Sequence, residues 1–280
     1  MSAPTRSVRD TAATPDASSR LERPGWWFAA RDTWTVTRRN LQHFVRQPRL
    51  LIFSTIQPVM FVLLFALVFG GVADTALPEG IEYIDYLLPG LLVQSAVFRV
   101  TQTAVGLAED MERGVVDRFR SLPMSRAAVL AGRTGADLCR SLAIACLMIG
   151  VGYLIGFRFT QGFFAAVGAV LVVSAFGYAL SWLFVYVALL VPGAEAAQSA
   201  GFVLVFPLVF ASSIFVPLET MPGWLATISS FSPITAAADA SRGLSIGGPV
   251  AAPVAMTLAW VVGICAVAIP VATRRFHRIT

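Results

Sequence analysis

The chain has 280 residues, of which 56% are hydrophobic and 13% charged, and its mean hydropathy is +0.72. Such an apolar chain cannot bury its hydrophobic residues in one water-soluble core, since soluble domains are about a quarter charged. The net charge of +5 comes from arginines that flank apolar segments, a pattern of membrane topology and not of nucleic-acid binding. The absence of lysine, with abundant Ala and Gly, suggests a GC-rich bacterial genome.

The N-terminal region changes character near residue 25. Residues 1–24 are rich in Ser, Thr, Ala, Pro and Arg without apolar periodicity, which predicts a disordered cytoplasmic tail and no cleaved signal peptide. Residues 25–49 place apolar side chains at three- and four-residue steps, with most arginines off that stripe. This pattern predicts an amphipathic helix in the headgroup region; a helix packed on another protein domain is the alternative.

Six apolar segments are long enough to cross the ~30 Å hydrocarbon layer as helices. They predict an all-α polytopic membrane protein whose transmembrane domain covers residues 50–280, with spans at about 50–72, 86–108, 138–157, 163–191, 198–218 and 250–273. In the third span, Gly152 and Gly156 have the GxxxG spacing that favours close helix approach. Drawn in this way, the spans carry no carboxylate, because Glu195 falls in a turn before the fifth span.

The arginines are distributed unevenly between the predicted loops. They are concentrated before the first span, between the second and third spans and after the sixth, whereas the loop after the first span is acidic. The positive-inside rule therefore predicts that both termini are cytoplasmic and that residues 73–85 and 219–248 face outward.

The segment between the second and third spans, residues 109–140, is densely charged. Pro123 ends any helix there, because its ring and missing N–H cannot continue one. One interpretation is a short amphipathic helix on the membrane surface that docks into a groove of a cytoplasmic partner. The other is a solvated loop that only sets the topology.

Three runs of sequence are similar to the type-2 ABC exporter permeases, specifically the daunorubicin-resistance-type drug permeases. GVVDRFRSLPMSRAAVLAGR, residues 114–133, resembles the cytoplasmic loop of that family. Residues 36–70 resemble the start of its first span, and residues 215–244 resemble the segment before its last span. The three runs occur in the family's order and cover the chain from about Thr37 to its end.

The resemblance implies a coupling helix, which passes nucleotide-driven motion from the ATPase to the transmembrane helices. The candidate coupling residues are Glu109 and, at positions matching the family's motif, Glu112, Gly114, Asp117, Arg118, Arg120 and Pro123.

Residues 215–244 are too apolar for an ordinary aqueous loop and too broken for a seventh span. Backbone that leaves helix geometry at membrane depth must be sheltered by protein or water. The resemblance implies a pair of re-entrant helices on the outer side; a structured external loop is the alternative. The candidate residues are Pro217, Met221, Pro222, Trp224, Pro233, Asp239 and Arg242.

Arg99 lies near the middle of the second span, with Gln94 close by. Because an arginine at the centre of a membrane helix costs at least ~2.5 kcal/mol, its side chain should face a cavity or a partner and not lipid. These two residues are candidates for the transport route or a dimer interface. Snorkelling or a structural hydrogen bond to backbone carbonyls is the alternative for Arg99.

The chain lacks the GxxxxGK[ST] loop of a transporter ATPase, and it has no lysine with which to build one. The spans contain no catalytic constellation, and neither His43 nor His277 belongs to a metal-ligand spacing, so no metal site is expected.

The favoured function is the permease of an ATP-driven exporter in the bacterial cytoplasmic membrane. ATP and Mg²⁺ would bind a separate nucleotide-binding subunit, and a second permease subunit, identical or different, would complete the path for drugs, antibiotics or lipids. Three alternatives remain: an ion-coupled secondary drug transporter, an exporter of polysaccharide or glycolipid with the same fold, and a membrane scaffold. A secondary transporter would need a membrane-embedded carboxylate.

Overall fold

The structure, a computed structural model, describes residues 34, 37–38, 48–69, 81–114 and 126–279, and within these ranges it contains helices and no strand. The long and short helices follow each other along the chain in this order: α1 (Pro48–Leu64) with a π-helical continuation (Phe65–Phe69), α2 (Tyr83–Glu112), α3 (Arg126–Ile155), α4 (Phe163–Ala188), α5 (Gly193–Phe210), a 3₁₀ turn (Leu218–Thr220), α6 (Gly223–Ser230), α7 (Pro233–Ile246) and α8 (Ala251–Ile279).

Helix α2 is the centre of the bundle. It contacts α1, α3, α4, α5 and α7, and its leucines at 87, 88, 91 and 92 are at most 1% exposed. The surrounding helices instead present apolar side chains outward, as Val203 on α5 and Val262 on α8 do at 72% and 66% exposure. A bundle with a buried central helix and an apolar exterior is suited to lipid on its outside.

Helices α2 and α5 run antiparallel, and their contacts define two ends of the bundle. At one end the first turn of α2 contacts the chain that follows α5, since Tyr86 donates a hydrogen bond to the carbonyl of Ser213. At the opposite end the last turn of α2 meets the start of α5, where Glu112 contacts Ala194. These are called the tyrosine end and the glutamate end below.

Glycines bring three helices close to α2. A Cβ at Gly152 of α3 would overlap Leu88, and one at Gly201 of α5 would overlap Thr101. A Cβ at Gly177 of α4 would lie 3.2 Å from that of Ala96. Because small residues let backbones approach, these contacts fix the spacing of α3, α4 and α5 around the central helix. Gly152 of the GxxxG pair thus packs inside the chain.

Within the described ranges, five helices are long and apolar enough to cross a membrane: α2, α4, α5, α8 and, from Thr134 onward, α3. Two of the helices have bounds that differ from those of the predicted spans. The fifth helix begins at Gly193 and ends at Phe210, so residues 211–218 leave the helix and Glu195 lies in its first turn. The third begins at Arg126, well before the predicted residue 138, since its first turns contain alanine and leucine, which favour a helix, and no proline.

Several predicted features lie outside the described residues: the tail at 1–24, most of the 25–49 segment, much of the 73–85 loop and residues 115–125. One residue of the 25–49 segment is informative. Thr37 is buried and donates a hydrogen bond to the carbonyl of Gly132 on α3 (3.0 Å). At this position the segment therefore contacts the chain's own third helix.

Candidate functional site

A break in the backbone after α5 creates the first cluster of functional interest. Helix α5 ends at Phe210, and the chain continues irregularly to the 3₁₀ turn at Leu218. The carbonyls of Ser213, Ile214 and Phe215 therefore have no helical partner, and such groups need one wherever water is excluded.

Arg242 of α7 supplies most of these partners. It is 7% exposed, and its Nη2 donates to the carbonyls of Ser213 and Ile214, the latter at 2.9 Å. Its Nη1 donates to the Asp239 carboxylate (2.8 Å) and to Ser213 Oγ (3.1 Å). A guanidinium with five donors in a fixed fork can satisfy several acceptors at once, as a lysine could not.

Two tyrosines of α2 complete this cluster, which we call the junction. Tyr86 Oη donates to the Ser213 carbonyl (2.8 Å), and Tyr83 Oη donates to that of Phe215 (3.3 Å). A Cβ at Gly90 would lie 2.7 Å from the Ile214 carbonyl oxygen, so only glycine fits there. The junction thus joins the start of α2, the end of α5 and α7.

The predicted re-entrant residues divide into two groups. Asp239 and Arg242 lie together in the junction. The remaining five delimit the short helices: Pro217 and Met221 flank the 3₁₀ turn, Pro222 precedes α6, Trp224 lies in its first turn and is 69% exposed, and Pro233 begins α7. Proline is favoured at the first position of a helix, where its missing N–H has no partner to lose.

A second cluster, the charged cluster, lies between α2, α3 and α4. Arg99 faces a cavity whose polar lining includes Thr103, Asp137, Ser174 and Tyr178. Its Nη2 lies 3.4 Å from Ser95 Oγ, and its Nε has no hydrogen-bond partner.

The carboxylate of this cluster is held by two side chains. Asp137 accepts a hydrogen bond from Thr103 Oγ1 (2.7 Å) and pairs with Arg140 (3.4 Å). Its side chain is only 13% exposed, within the part of α3 that is apolar enough to span a membrane. Asp137 lies one residue before the third span as predicted, so a carboxylate adjoins that span in the same helix.

Gln94 and Arg99 both lie inside the bundle. Gln94 is 4% exposed, and its Nε2 has no hydrogen-bond partner in the chain. Arg99 faces a cavity whose lining comes from three helices of this same chain. In the described bundle Gln94 is therefore buried, whereas Arg99 is partly exposed.

At the glutamate end, α2 continues four residues beyond the predicted span and includes Glu109 and Glu112 in its last turn. Glu109 pairs with Arg113 (3.2 Å) in an exposed position. Glu112 Oε1 accepts a hydrogen bond from the backbone N–H of Ala194 (3.1 Å). Gly114, two residues after the end of α2, has a φ of 65°, in the left-handed region that favours glycine. Asp117, Arg118, Arg120 and Pro123 lie outside the described residues.

Residues 31–245, which include the junction, the charged cluster and the Glu112 contact, match the family described as the ABC-2 type transporter. The chain belongs to this family. It is thus the membrane subunit of a transporter and not itself the catalytic one.

Proteins similar to this permease along most of its length carry transport names. A daunorubicin resistance ABC transporter permease protein of Streptomyces coeruleorubidus, DrrB1, is 36% identical, covering 92% of this chain and 89% of its own. A probable doxorubicin resistance ABC transporter permease protein of Mycobacterium tuberculosis, DrrC, is 30% identical, covering 89% and 91%. A putative transport permease of Cyanophora paradoxa, ycf38, is 25% identical over 75% of the chain.

Sequence reasoning missed several residues of these clusters. No sequence motif includes Tyr86, Gly90 or Ser213. Their importance is visible only in the structure, where each lies against Arg242. Asp137 could have been found, because an acidic residue three positions before Arg140 in a helix predicts an ion pair. Gly193, which follows Pro192 at the start of α5, indicates a turn but not its contact with Glu112.

Proposed function

We propose that this chain is the permease subunit of an ABC exporter that moves hydrophobic or amphiphilic compounds, including drugs or antibiotics, out of the bacterial cytoplasm. The observation that carries the proposal is the family match over residues 31–245, together with drug-resistance permeases that align with about nine tenths of the chain. Membership of this family does not favour an ion-coupled mechanism, although Asp137 would supply the carboxylate that such a mechanism needs.

A separate nucleotide-binding subunit would hydrolyse ATP with Mg²⁺. This chain has no lysine to contact the β- and γ-phosphates. The described residues form a helical bundle with short connections, and a nucleotide-binding domain would require a mixed α/β unit beyond it.

The proposed permease has six spans, with α1 as the first. Helix α1 and its π-helical continuation together contain 22 residues, or roughly 30 Å of helix, which matches the hydrocarbon thickness. Six spans place both termini on one side. Exposed Arg113 at the glutamate end supports a cytoplasmic position for that end.

The tyrosine end would face outward. Its arginines, Arg158 and Arg242, are both bound to backbone carbonyls: Arg158 Nη1 donates to those of Tyr153 (2.6 Å) and Phe157 (2.7 Å). Arginines engaged in this way serve the fold, so they do not count against the positive-inside rule.

We propose that residues 109–123 form the coupling segment and dock on the ATPase subunit. Glu109 and Arg113 begin it in an exposed position, and Gly114 turns the chain. Asp117, Arg118 and Arg120 would supply further charges, and Pro123 would end the segment.

Helices α6 and α7 would form the re-entrant pair on the outer side. Helix α7 packs against α2, α4 and α8, whereas Trp224, Ile228 and Phe231 of or beside α6 are 58–71% exposed. Exposed apolar and aromatic side chains of this kind suit the membrane interface. Arg242 then satisfies the broken backbone beneath them.

A second permease subunit, identical or homologous, would complete the path, since six spans are few for a whole translocation route. Because Gln94 is buried and Arg99 lines a cavity between three helices of the same chain, we propose that they shape the wall of the route from within one subunit and do not form the dimer contact.

The experiment is isolation of the affinity-tagged chain from its native membrane, followed by a drug-efflux assay in cells. We expect an ATPase subunit with Walker motifs to co-purify in stoichiometric amount. We also expect cells that express both proteins to accumulate less doxorubicin, the drug in the name of one relative, than cells with either protein alone. Equal accumulation in all three would contradict drug export.

A further inference from the structure

The end of α2 is attached to the start of α5 by one side chain. Glu112, in the last turn of α2, accepts a hydrogen bond at Oε1 from the backbone N–H of Ala194 (3.1 Å). The N-cap of α5, Pro192, makes no side-chain capping bond of its own. A carboxylate here satisfies one of the free N–H groups of α5 and interacts favourably with the positive end of its dipole.

Gly193 leaves room for this contact. Its φ is 80°, in the left-handed region that favours glycine, and a Cβ there would lie 2.5 Å from Glu112 Oε1. The N–H of Ala194 and the missing side chain of Gly193 are adjacent features of α5, and both face the same carboxylate oxygen of Glu112.

A second contact between the same helices lies deeper in the bundle. Gly201 of α5 packs directly on Thr101 of α2, eleven residues before Glu112, which is roughly 16 Å along the helix. Two contacts separated by this distance fix both the spacing and the relative tilt of α2 and α5. Movement at the glutamate end of α2 must then displace α5 as well.

We propose that Glu112 is a positioning residue that makes α2 and α5 move together when the coupling segment is displaced. This inference rests on the proposed function. It changes the role of Glu112 from a docking charge for the ATPase to a bond within the permease. Span five is thereby connected to the coupling segment without itself touching the ATPase.

Three variants separate the two roles. Glu112→Ala removes the carboxylate, and Glu112→Gln keeps an oxygen that can accept from Ala194. Gly193→Ala adds a methyl group on α5 that displaces the Glu112 carboxylate. The charge of Glu112 is kept and stays available to any partner. The matched control is Gly162→Ala, because Gly162 precedes α4 with φ of 84° and nothing lies within 4 Å of an added Cβ. It places an alanine at a similar positive φ without disturbing a contact.

The first measurement is hydrogen–deuterium exchange of the purified chain in nanodiscs. We expect the amides of residues 194–196 to exchange at least about tenfold faster in Glu112→Ala and in Gly193→Ala than in the wild type and Gly162→Ala. Exchange at the wild-type rate in both variants would overturn the contact itself, whether or not the chain is an exporter.

The second measurement is ATP-driven doxorubicin transport and ATPase activity of the permease reconstituted with its ATPase. We expect Glu112→Ala and Gly193→Ala each to lose most transport per ATP while the ATPase still co-purifies, and Glu112→Gln to retain more. The double variant should be no worse than either single variant, because both remove one contact. Additive losses, or loss of ATPase binding in Glu112→Ala alone, would overturn the positioning role. A wild-type complex that transports nothing would instead contradict the proposed drug export.

Discussion

Arg242 contacts Tyr86 in two ways, through a cation–π contact with its ring and a hydrogen bond to its backbone carbonyl. The guanidinium carbon of Arg242 lies 3.7 Å from the centroid of the Tyr86 ring, and its Nε donates a hydrogen bond to the Tyr86 backbone carbonyl (2.9 Å). A buried cation over an aromatic face is attracted by the ring quadrupole. Together with its bonds to the chain after α5, this makes Arg242 the residue on which the tyrosine end depends.

Replacement of Arg242 should therefore destabilise the fold. Arg242→Met preserves much of the side-chain volume but leaves the carbonyl of Ile214 without its partner, at a cost of about 1–3 kcal/mol for each group left unsatisfied. We expect a lower midpoint of thermal unfolding in detergent and a smaller monodisperse fraction. The thermal midpoint of Arg242→Lys should lie between those of the wild type and Arg242→Met, since one ammonium group cannot reach all the acceptors.

The control for this prediction is Arg274→Met, because Arg274 is exposed near the end of α8. Its thermal midpoint should match that of the wild type. A wild-type midpoint for Arg242→Met would show that the junction does not depend on the guanidinium.

The close packing of α2 and α5 predicts a rescue. Gly201→Ala should lower the thermal midpoint, because the added methyl group overlaps Thr101 Cγ2 and overpacking costs about 1–3 kcal/mol. Thr101→Ser removes that methyl group and keeps the Oγ and Cβ, so the double variant should recover part of the loss. Gly263→Ala, where nothing lies within 4 Å, is the control. Equal loss in the single and double variants would contradict the contact.

Composition and apolar run length were sufficient to predict an all-helical membrane protein with five of its long apolar helices at nearly the right positions. Lengths were predicted less well, because hydropathy detects lipid exposure and not the helix itself. Helix α3 starts at Arg126, and Arg126, Arg133 and Asp137 interrupt the apolar residues of its first turns. Helix α5 ends at Phe210 although Ile214, Phe215 and Val216 follow two serines and are apolar; there, the bonds from Arg242 stabilise a broken backbone.

The candidate sites were only partly predictable for a related reason. Arg99, Glu112 and Arg242 stand out because charge is rare in this chain, but their partners are ordinary residues or backbone atoms. The sequence suggested that Glu112 contacts a separate subunit; in the structure it binds the N–H of Ala194 in its own chain. A single sequence does not indicate which helices are neighbours, so the pairing of Asp137 with Thr103 could not be foreseen.

The charged cluster predicts sensitivity to the loss of its carboxylate. Asp137→Asn keeps an acceptor for Thr103 but removes the negative charge that pairs with Arg140 and lies beside Arg99. Breaking a buried pair costs about 3–5 kcal/mol, and partial exposure reduces this to roughly 2 kcal/mol. Glu109→Gln, in an exposed pair worth about 0–1 kcal/mol, is the stability control. Equal unfolding midpoints for the two variants would contradict the cluster's structural role.

Topology can be measured by single-cysteine labelling on a background lacking Cys139, Cys146 and Cys265. We expect an impermeant maleimide to label Thr220→Cys in intact cells, because Thr220 is exposed at the tyrosine end. Arg113→Cys, at the glutamate end, should react only after the membrane is permeabilised. The opposite pattern would reverse the orientation.

The central claim is that this chain is a permease powered by an ATPase on another subunit. The most direct test is ATP-dependent uptake of doxorubicin into inside-out proteoliposomes that contain the permease alone, the ATPase alone or both. We predict uptake with both proteins, its loss when a non-hydrolysable ATP analogue replaces ATP, and no ATP hydrolysis by the permease alone. Uptake by the permease alone, driven by a proton or sodium gradient without ATP, would contradict the account.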